Sequence, residues 1–429
     1  MKKKVLSVLL AAVMAMSLAA CGSSGGGNST DGSDDSSTGG GQYDGVELTY
    51  WSMWSNTEPQ GKVLQEAVNA WMEETGANVT IEWKGRDIKN ILASALESEE
   101  QIDLFEDGYE RITSTYVKYV ADLTAMAEEA GYADQSFAVF NDWATEQAGF
   151  LPCITEQPQV GGVFYNQDIF DDAGVDAPAT WTEFLEVCQT LKDAGYAPMA
   201  LDSTYAPFFF GYHLARYIGQ DATSELAKSG GWSSNPLVAQ AAQEMIDFVK
   251  AGYLVDGAPD EYPASQNKMA LGDPQAAMVV CANYVTSEVN KTAGEELNWG
   301  LFNYPSVEGA ADGVDQTAAY TGCNSIAITN YSENQQAAFD LALFITSGEY
   351  DQQMADTAGQ IPADPSNTAP ASQTGTVEAL NAAQSSLVWN MGLNANADLT
   401  SSIQEVVVQL YEGQFATGED FAAALDALY

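Results

Sequence analysis

A single histidine, His213, stands among the 429 residues. That removes chemistry built on paired histidines, such as a His-Glu-x-x-His zinc site. Cations are nearly as scarce: 15 Lys and Arg against 60 Asp and Glu give a formal charge of −45. A surface of that sign repels phosphate backbones and anionic headgroups, so nucleic acid is excluded as a partner. The five cysteines are too few for a disulfide scaffold, and no C-x-x-C occurs to suggest zinc or redox chemistry. Cys153, Cys188, Cys281 and Cys323 read as small buried apolar residues, although an exported chain leaves one disulfide open. Long apolar runs are missing too, for none reaches the 18 residues that would suggest a membrane span. What is plentiful is core material. Hydrophobic residues make up 46%, with 9 Trp, 20 Tyr and 16 Phe, which excludes wholesale disorder and suffices for two lobes of about 150–200 residues. No cofactor is expected.

The chain opens on Met1-Lys2-Lys3-Lys4, followed by the apolar stretch Val5–Ala20. This is too short to span a bilayer and fits a secretory signal peptide over 1–20. The stretch ends Leu18-Ala19-Ala20-Cys21-Gly22, which resembles a bacterial lipobox with cleavage before Cys21 and lipid on its thiol. Residues 22–42 are almost all Gly, Ser, Thr and Asp. Such a run cannot offset chain entropy by burial, so 21–45 is expected to be a flexible tether, about 25 Å in root-mean-square span. Its literal G-x-S-x-G at Gly22, Ser24 and Gly26 has no strand before it and no helix after it, and carries no meaning.

From Val46 the period alternates between 2 and 3.6. Val46–Trp51 reads as a strand, Gly61–Glu74 as a helix closed by Gly76, and Asn78–Trp83 as a strand. Asp87 is expected to cap a helix carrying Ile88, Ile91, Leu92, Ala95 and Leu96, and Ile102–Phe105 to form a short buried strand. That β-α-β-α-β order implies parallel pairing and the α/β class. Capping boxes open helices at Thr180–Glu183 and Ser332–Gln335, and Asn235-Pro236 opens a third. Further strands read at Gly161–Tyr165, Ala276–Val280, Trp299–Phe302 and Ser325–Thr329.

Several motifs, in this order, resemble the extracellular solute-binding proteins of carbohydrate ABC importers related to maltodextrin-binding proteins. They are Leu48-Thr49-Tyr50-Trp51-Ser52, Ile102-Asp103-Leu104-Phe105, Val163-Phe164-Tyr165-Asn166, Pro178-Ala179-Thr180-Trp181-Thr182-Glu183-Phe184, Ala276-Ala277-Met278 and Gly359-Gln360-Ile361-Pro362-Ala363. The resemblance covers about 46–429. It implies a two-lobe, periplasmic-binding-protein-like fold with hinge crossings near Leu151–Thr155, Tyr320–Asn324 and Asp364. Lobe one would be 46–152 plus 325–363, and lobe two 153–324 plus 364–429. Cys153 and Cys323 would sit on adjacent hinge strands, with a disulfide between them as a hypothesis. The implied function is capture of a carbohydrate, an oligosaccharide above all, by a lipid-anchored extracytoplasmic monomer that hands it to permease subunits and turns nothing over.

A sugar presents hydroxyls that both donate and accept, and an apolar face of C–H bonds, so its site needs carboxylates or amides and flat aromatics. In α/β sheets such groups gather beyond the C-terminal strand ends. That rule selects Ser52 and Trp54 after the first strand, and Glu106, Asp107 and Glu110 after the Ile102–Phe105 strand. By resemblance, the loop after Ala276–Val280 supplies Asn283 and the stacking ring of Tyr284, although the family more often has Gly then Trp there. Trp389 and Asn390 fall where the family presents a second aromatic, and Tyr320 and Asn324 flank the second crossing. Trp232 lies on the Gly-rich loop Gly230-Gly231-Trp232, where burial is hard to arrange, and is expected to be exposed for use. Trp71, Trp83, Trp181, Phe184 and His213 fit core positions.

Two alternatives stand beside this reading. One is the same fold holding a non-sugar ligand such as a polyamine, a peptide or a metal chelate. The other is an exported glycoside hydrolase, for which some carboxylate pair is inevitable among sixty acids.

Overall fold

The computed structural model describes residues 41–382 and 386–429. The proposed signal peptide, Cys21 and most of the proposed tether lie outside the described residues. The last tether residues are already part of the fold: Tyr43 stacks on Trp71 at 5.6 Å and its hydroxyl donates to Asp340 at 2.5 Å. An aromatic in that polar run is what docks it.

Nine strands are found among the described residues: β1 Glu47–Ser52, β2 Asn78–Trp83, β3 Leu104–Gly108, β4 Ile154–Asn166, β5 Ala197–Ala200, β6 Ala276–Ala282, β7 Trp299–Phe302, β8 Ala319–Ile328 and β9 Ser386–Leu387. Their order is β2-β1-β3-β8-β4-β6-β5, with β7 on β4 and β9 on β8. The first half is parallel across β2-β1-β3, and β8 then pairs antiparallel to β3, Leu104 opposite Ile328. β4 and β8 serve both halves. The start of β4 pairs with β8, Ile154 opposite Ile326, and its end lies between β6 and β7, Val163 opposite both Val280 and Phe302.

Strand alternation gives the first half two buried faces. Tyr50, Leu104, Ile154 and Ile326 pack under the helices Pro59–Thr75 and Gln335–Thr346, whereas Trp51, Phe105 and Ala327 pack under Ile88–Glu97 and Ala138–Ala148. The second half has one large core around β4, β6 and the helix Ala206–Ile218, every residue of which is buried. His213 belongs to it, with Nε2 2.8 Å from Glu244, Nδ1 3.2 Å from the Tyr304 hydroxyl and its ring on Trp181. Leu380 packs beside Phe105 and Ile361, and its helix Thr374–Ala382 also touches β4 and β7.

The Thr180–Glu183 capping box and the Asn235 cap form as expected. Two others do not. Asp87 accepts from the Asn90 side chain at 2.8 Å rather than from a helix N–H, and Ser332 turns its hydroxyl to Asp103 at 2.5 Å, so that helix starts at Gln335. The four body cysteines are buried free thiols, with Cys323 Sγ 3.1 Å from Ser325 Oγ, so the Cys153–Cys323 disulfide does not form. Among the described residues no helix is long and apolar enough to cross a membrane.

Candidate functional site

In the second half β5 and β6 run parallel, and their C-terminal ends deliver Tyr205 and Tyr284, whose rings lie 6.4 Å apart. Three more elements add rings to this spot. Phe208 comes from the first turns of Ala206–Ile218, Tyr320 from β8, and Trp389 from the turn after β9. The Trp389 ring packs on Phe208 at 4.4 Å and meets Tyr320 edge-on at 5.3 Å and Tyr205 at 6.3 Å. Tyr262 extends the row outward, edge-on to Tyr205 at 5.9 Å and 40% exposed.

Glycine makes room for these rings where the crossing strands pass. A Cβ on Gly161 of β4 would stand 2.6 Å from Phe208 and 2.8 Å from Tyr320, and one on Gly322 would stand 2.3 Å from the Tyr320 hydroxyl. Gly161→Ala is therefore expected to cost about 1–3 kcal/mol of stability through overpacking. It should also displace the two rings, which a paired measurement of melting temperature and ligand affinity checks.

Glu110, from the first half, meets this group. Its Oε1 accepts the Trp389 N–H at 2.9 Å across 279 residues of sequence. Glu110, Tyr284 and Trp389 all keep partial exposure, yet the surrounding protein desolvates Glu110 enough to push its carboxyl up to about 7, against the pull of the Trp389 N–H and Arg111. Gln159 on β4 accepts the Tyr320 hydroxyl at 3.2 Å. The backbone after Trp389 is strained, with Asn390 and Met391 both left-handed at φ 56° and 49°. Such outliers cost about 1–3 kcal/mol each and gather at ligand-holding loops.

The sequence-selected residues divide sharply. Tyr284, Tyr320, Trp389 and Glu110 converge. Asn390 follows Trp389 but is 1% exposed, with its Oδ1 unpartnered. Asn283 is spent on structure, its Oδ1 accepting from Val160 N and its carbonyl from Gln373. Asn324 donates to Gln157 at 3.3 Å beside the crossing. Ser52, Trp54, Glu106 and Asp107 are all buried. Ser52 and Tyr50 donate to Glu106, Trp54 Nε1 donates to Glu156 at 3.3 Å, and Asp107 is clasped by Arg111 and by Gly108 N. Trp232 overturns its expectation: it is fully buried against the second core, because Asp426 accepts the N–H groups of Gly231, Trp232 and Ser233 and pins the loop. Trp71, Trp181 and Phe184 are core, and Trp83 is half-buried. Sequence reasoning missed Tyr205, Phe208, Gln159 and Glu156. The strand-end rule, applied to β5, would have found Tyr205.

A surface hollow bounded by Lys192, Tyr196, Leu254, Asp273 and Pro274 lies at the N-terminal ends of β5 and β6 and shares no residue with this group. The cluster of rings is at the opposite ends, where the strand-end rule places candidate ligand groups.

The family model of bacterial extracellular solute-binding proteins matches residues 54–352. The chain belongs to that family. Among its relatives, the multiple sugar-binding protein of Streptococcus mutans is 25% identical over 118 residues, 27% of this chain and 28% of that protein. The melibiose/raffinose/stachyose-binding protein MelE of Bacillus subtilis is 24% identical over 181 residues, 41% of this chain and 40% of that protein. The chain thus matches less than half the length of either. Solved structures share the fold over much more. A chitin oligosaccharide binding protein superposes with TM-score 0.71 at 20% identity, covering 89% of this chain and 97% of that one. The solute-binding protein RafE, in complex with raffinose, gives 0.68 at 15% identity over 89% and 98%. Those structures share the two-lobe fold, and in this chain β4 pairs with β8 at its start and with β6 and β7 at its end.

Proposed function

We propose that this protein captures an oligosaccharide between its lobes, 46–152 plus 325–363 and 153–324 plus 364–429, and presents it to the permease subunits of an ABC importer. It does so outside the cell membrane as a monomer held by lipid on Cys21, and it transforms nothing. The observation that carries this reading is the row of rings Trp389, Tyr205 and Tyr284, backed by the buried Phe208, contributed by separate elements at strand ends and closed by Glu110 from the other half. Flat rings suit the C–H faces of pyranoses, and Glu110 suits a hydroxyl that donates. A ligand touching both halves binds the closed arrangement better than the open one, so binding and closure are one equilibrium.

A second reading has one observation in its favour: rings around a carboxylate also suit an ammonium group. A thermal-shift screen of the mature chain separates the two. Raffinose, stachyose and chitin oligosaccharides are set against polyamines and short peptides. A ligand at 100 times its Kd adds about 2.7 kcal/mol, a rise of a few degrees. Sugar hits that persist in high salt are expected, whereas hits confined to cations and lost in salt would replace the first reading with the second.

A further inference from the structure

Glu106 and Glu156 are deeply buried carboxylates of the first half, 0% and 4% exposed. Three adjacent strands bring them together. Glu106 on β3 is opposite Ile326 on β8, which is opposite Ile154 on β4, and Glu156 follows two residues later beside a break in register. Strands so spaced put the two backbones about 10 Å apart, within reach of two glutamate side chains. Donors converge on Glu106: the Tyr50 hydroxyl on Oε1 at 2.6 Å, and Ser52 Oγ at 2.9 Å and Met53 N at 2.7 Å on Oε2. Glu156 Oε1 takes Trp54 Nε1 at 3.3 Å, and its Oε2 has no partner.

The other titratable groups that face the pair come from three elements. Arg86, in the turn after β2, lies over the Trp54 ring at 4.3 Å and is engaged by Met53 O and Glu58, so its charge reaches the pair only from beyond the indole. Asp351, on the helix Gly348–Ala358, adds negative charge. Tyr50, on β1, is the neutral donor already described. Among the described residues no ion pair reaches Glu106 or Glu156. Two carboxylates this dry on neighbouring strands oppose each other's ionisation when no cation pairs with them.

We propose that Glu106 and Glu156 hold one proton between them, and that this proton fixes the segment Ser52–Trp54 at the rim of the first lobe, making the pair a positioning device whose grip depends on pH. The proton closes the unfilled contact at Glu156 Oε2. All four of the remaining bonds fasten consecutive residues, Tyr50 and Ser52 to Trp54, to the pair. Burial pushes Glu106 up to about 7 and Glu156 well above the ordinary carboxylate range, the latter also through the charge of Glu106. Both shifts are upward, so the folded state holds more protons than the unfolded one above the ordinary carboxylate range. The stabilisation is complete at acid pH and is lost as pH rises through neutrality. The link to ligand capture rests on the function proposed above, but the proton itself can be tested without any ligand.

The test is infrared spectroscopy of the mature chain in heavy water, from about pH 5 to about pH 9. At about pH 6.5, the difference between wild type and Glu156→Gln, or Glu106→Gln, is expected to contain a protonated-carboxyl band. Trp54→Phe keeps the ring and removes the donor on Glu156, so it should move the loss of that band to higher pH, and it serves if either glutamine variant fails to fold. The fall in melting temperature as pH rises through neutrality should be shallower in Glu156→Gln. Differences containing only ionised-carboxylate bands, or a band unmoved by Trp54→Phe, would overturn the shared proton.

Discussion

Replacing Trp389 by alanine is expected to raise the Kd for the captured saccharide about 100-fold, equivalent to about 2.7 kcal/mol, while the protein stays folded. The ring packs on Phe208 and meets Tyr205 and Tyr320, so it stands at the centre of the row, where an aromatic anchor contributes most. It is only partly buried, so its removal opens a gap to the cleft more than a void in the core. The substitution also isolates the ring from the backbone. The N–H that Glu110 accepts survives in alanine, and that hydrogen bond is kept. Titration of the ligand into both proteins, with melting temperatures measured in its absence, checks both halves of the expectation. An affinity within threefold of wild type would remove Trp389 from the site.

Arg216→Ala is expected to have the largest effect on stability, about 4 kcal/mol, through unsatisfied acceptors and a cavity together. Arg216 is fully buried on the helix Ala206–Ile218. Its Nη2 donates to Tyr304 O at 2.9 Å and to Asn303 Oδ1 at 3.2 Å, Nε donates to Tyr304 O at 3.3 Å, and the guanidinium lies over the Tyr212 ring. Truncation would leave the Tyr304 carbonyl without these donors and empty the space under Tyr212. Lysine should rescue little, because one ammonium cannot reproduce the fork that reaches both acceptors. A denaturation midpoint in urea reads the loss directly, and a cost below about 1 kcal/mol would mean that the helix repacks around the gap.

Much of this fold was legible wherever one element obeyed one period. β1, β2, the helix after each and the Thr180 capping box follow from local alternation and caps, because burial there is decided within a dozen residues. β4 was legible only in part. Its thirteen residues include Pro158 and the pair Gly161-Gly162; only Gly161–Tyr165 reads locally as a strand, and the two glycines are room made for Tyr320, Phe208 and Leu301. Trp232 was misread for a related reason: its loop is pinned by Asp426, 194 residues away, and no local pattern reveals such a partner.

The site was legible to the extent that strand ends were. The rule found Glu110 and, by resemblance, Tyr284 and Trp389 were added, but strand alternation turned Glu106 inward to Tyr50, where a ligand-facing carboxylate had been expected. Tyr205 and Phe208 were hidden in a run so rich in aromatics that periodicity could not separate the rings that join the row from the rest of the core.

The central claim is that the cleft rings hold a sugar. The most direct measurement is titration calorimetry of the mature protein, wild type and Trp389→Ala, with the saccharide that shifts its melting most. The account predicts one saturable site per chain in wild type, little changed by salt and about 100-fold weaker in the variant. Saccharide binding equal in both proteins, or binding only by a cation in a salt-dependent manner, would contradict it.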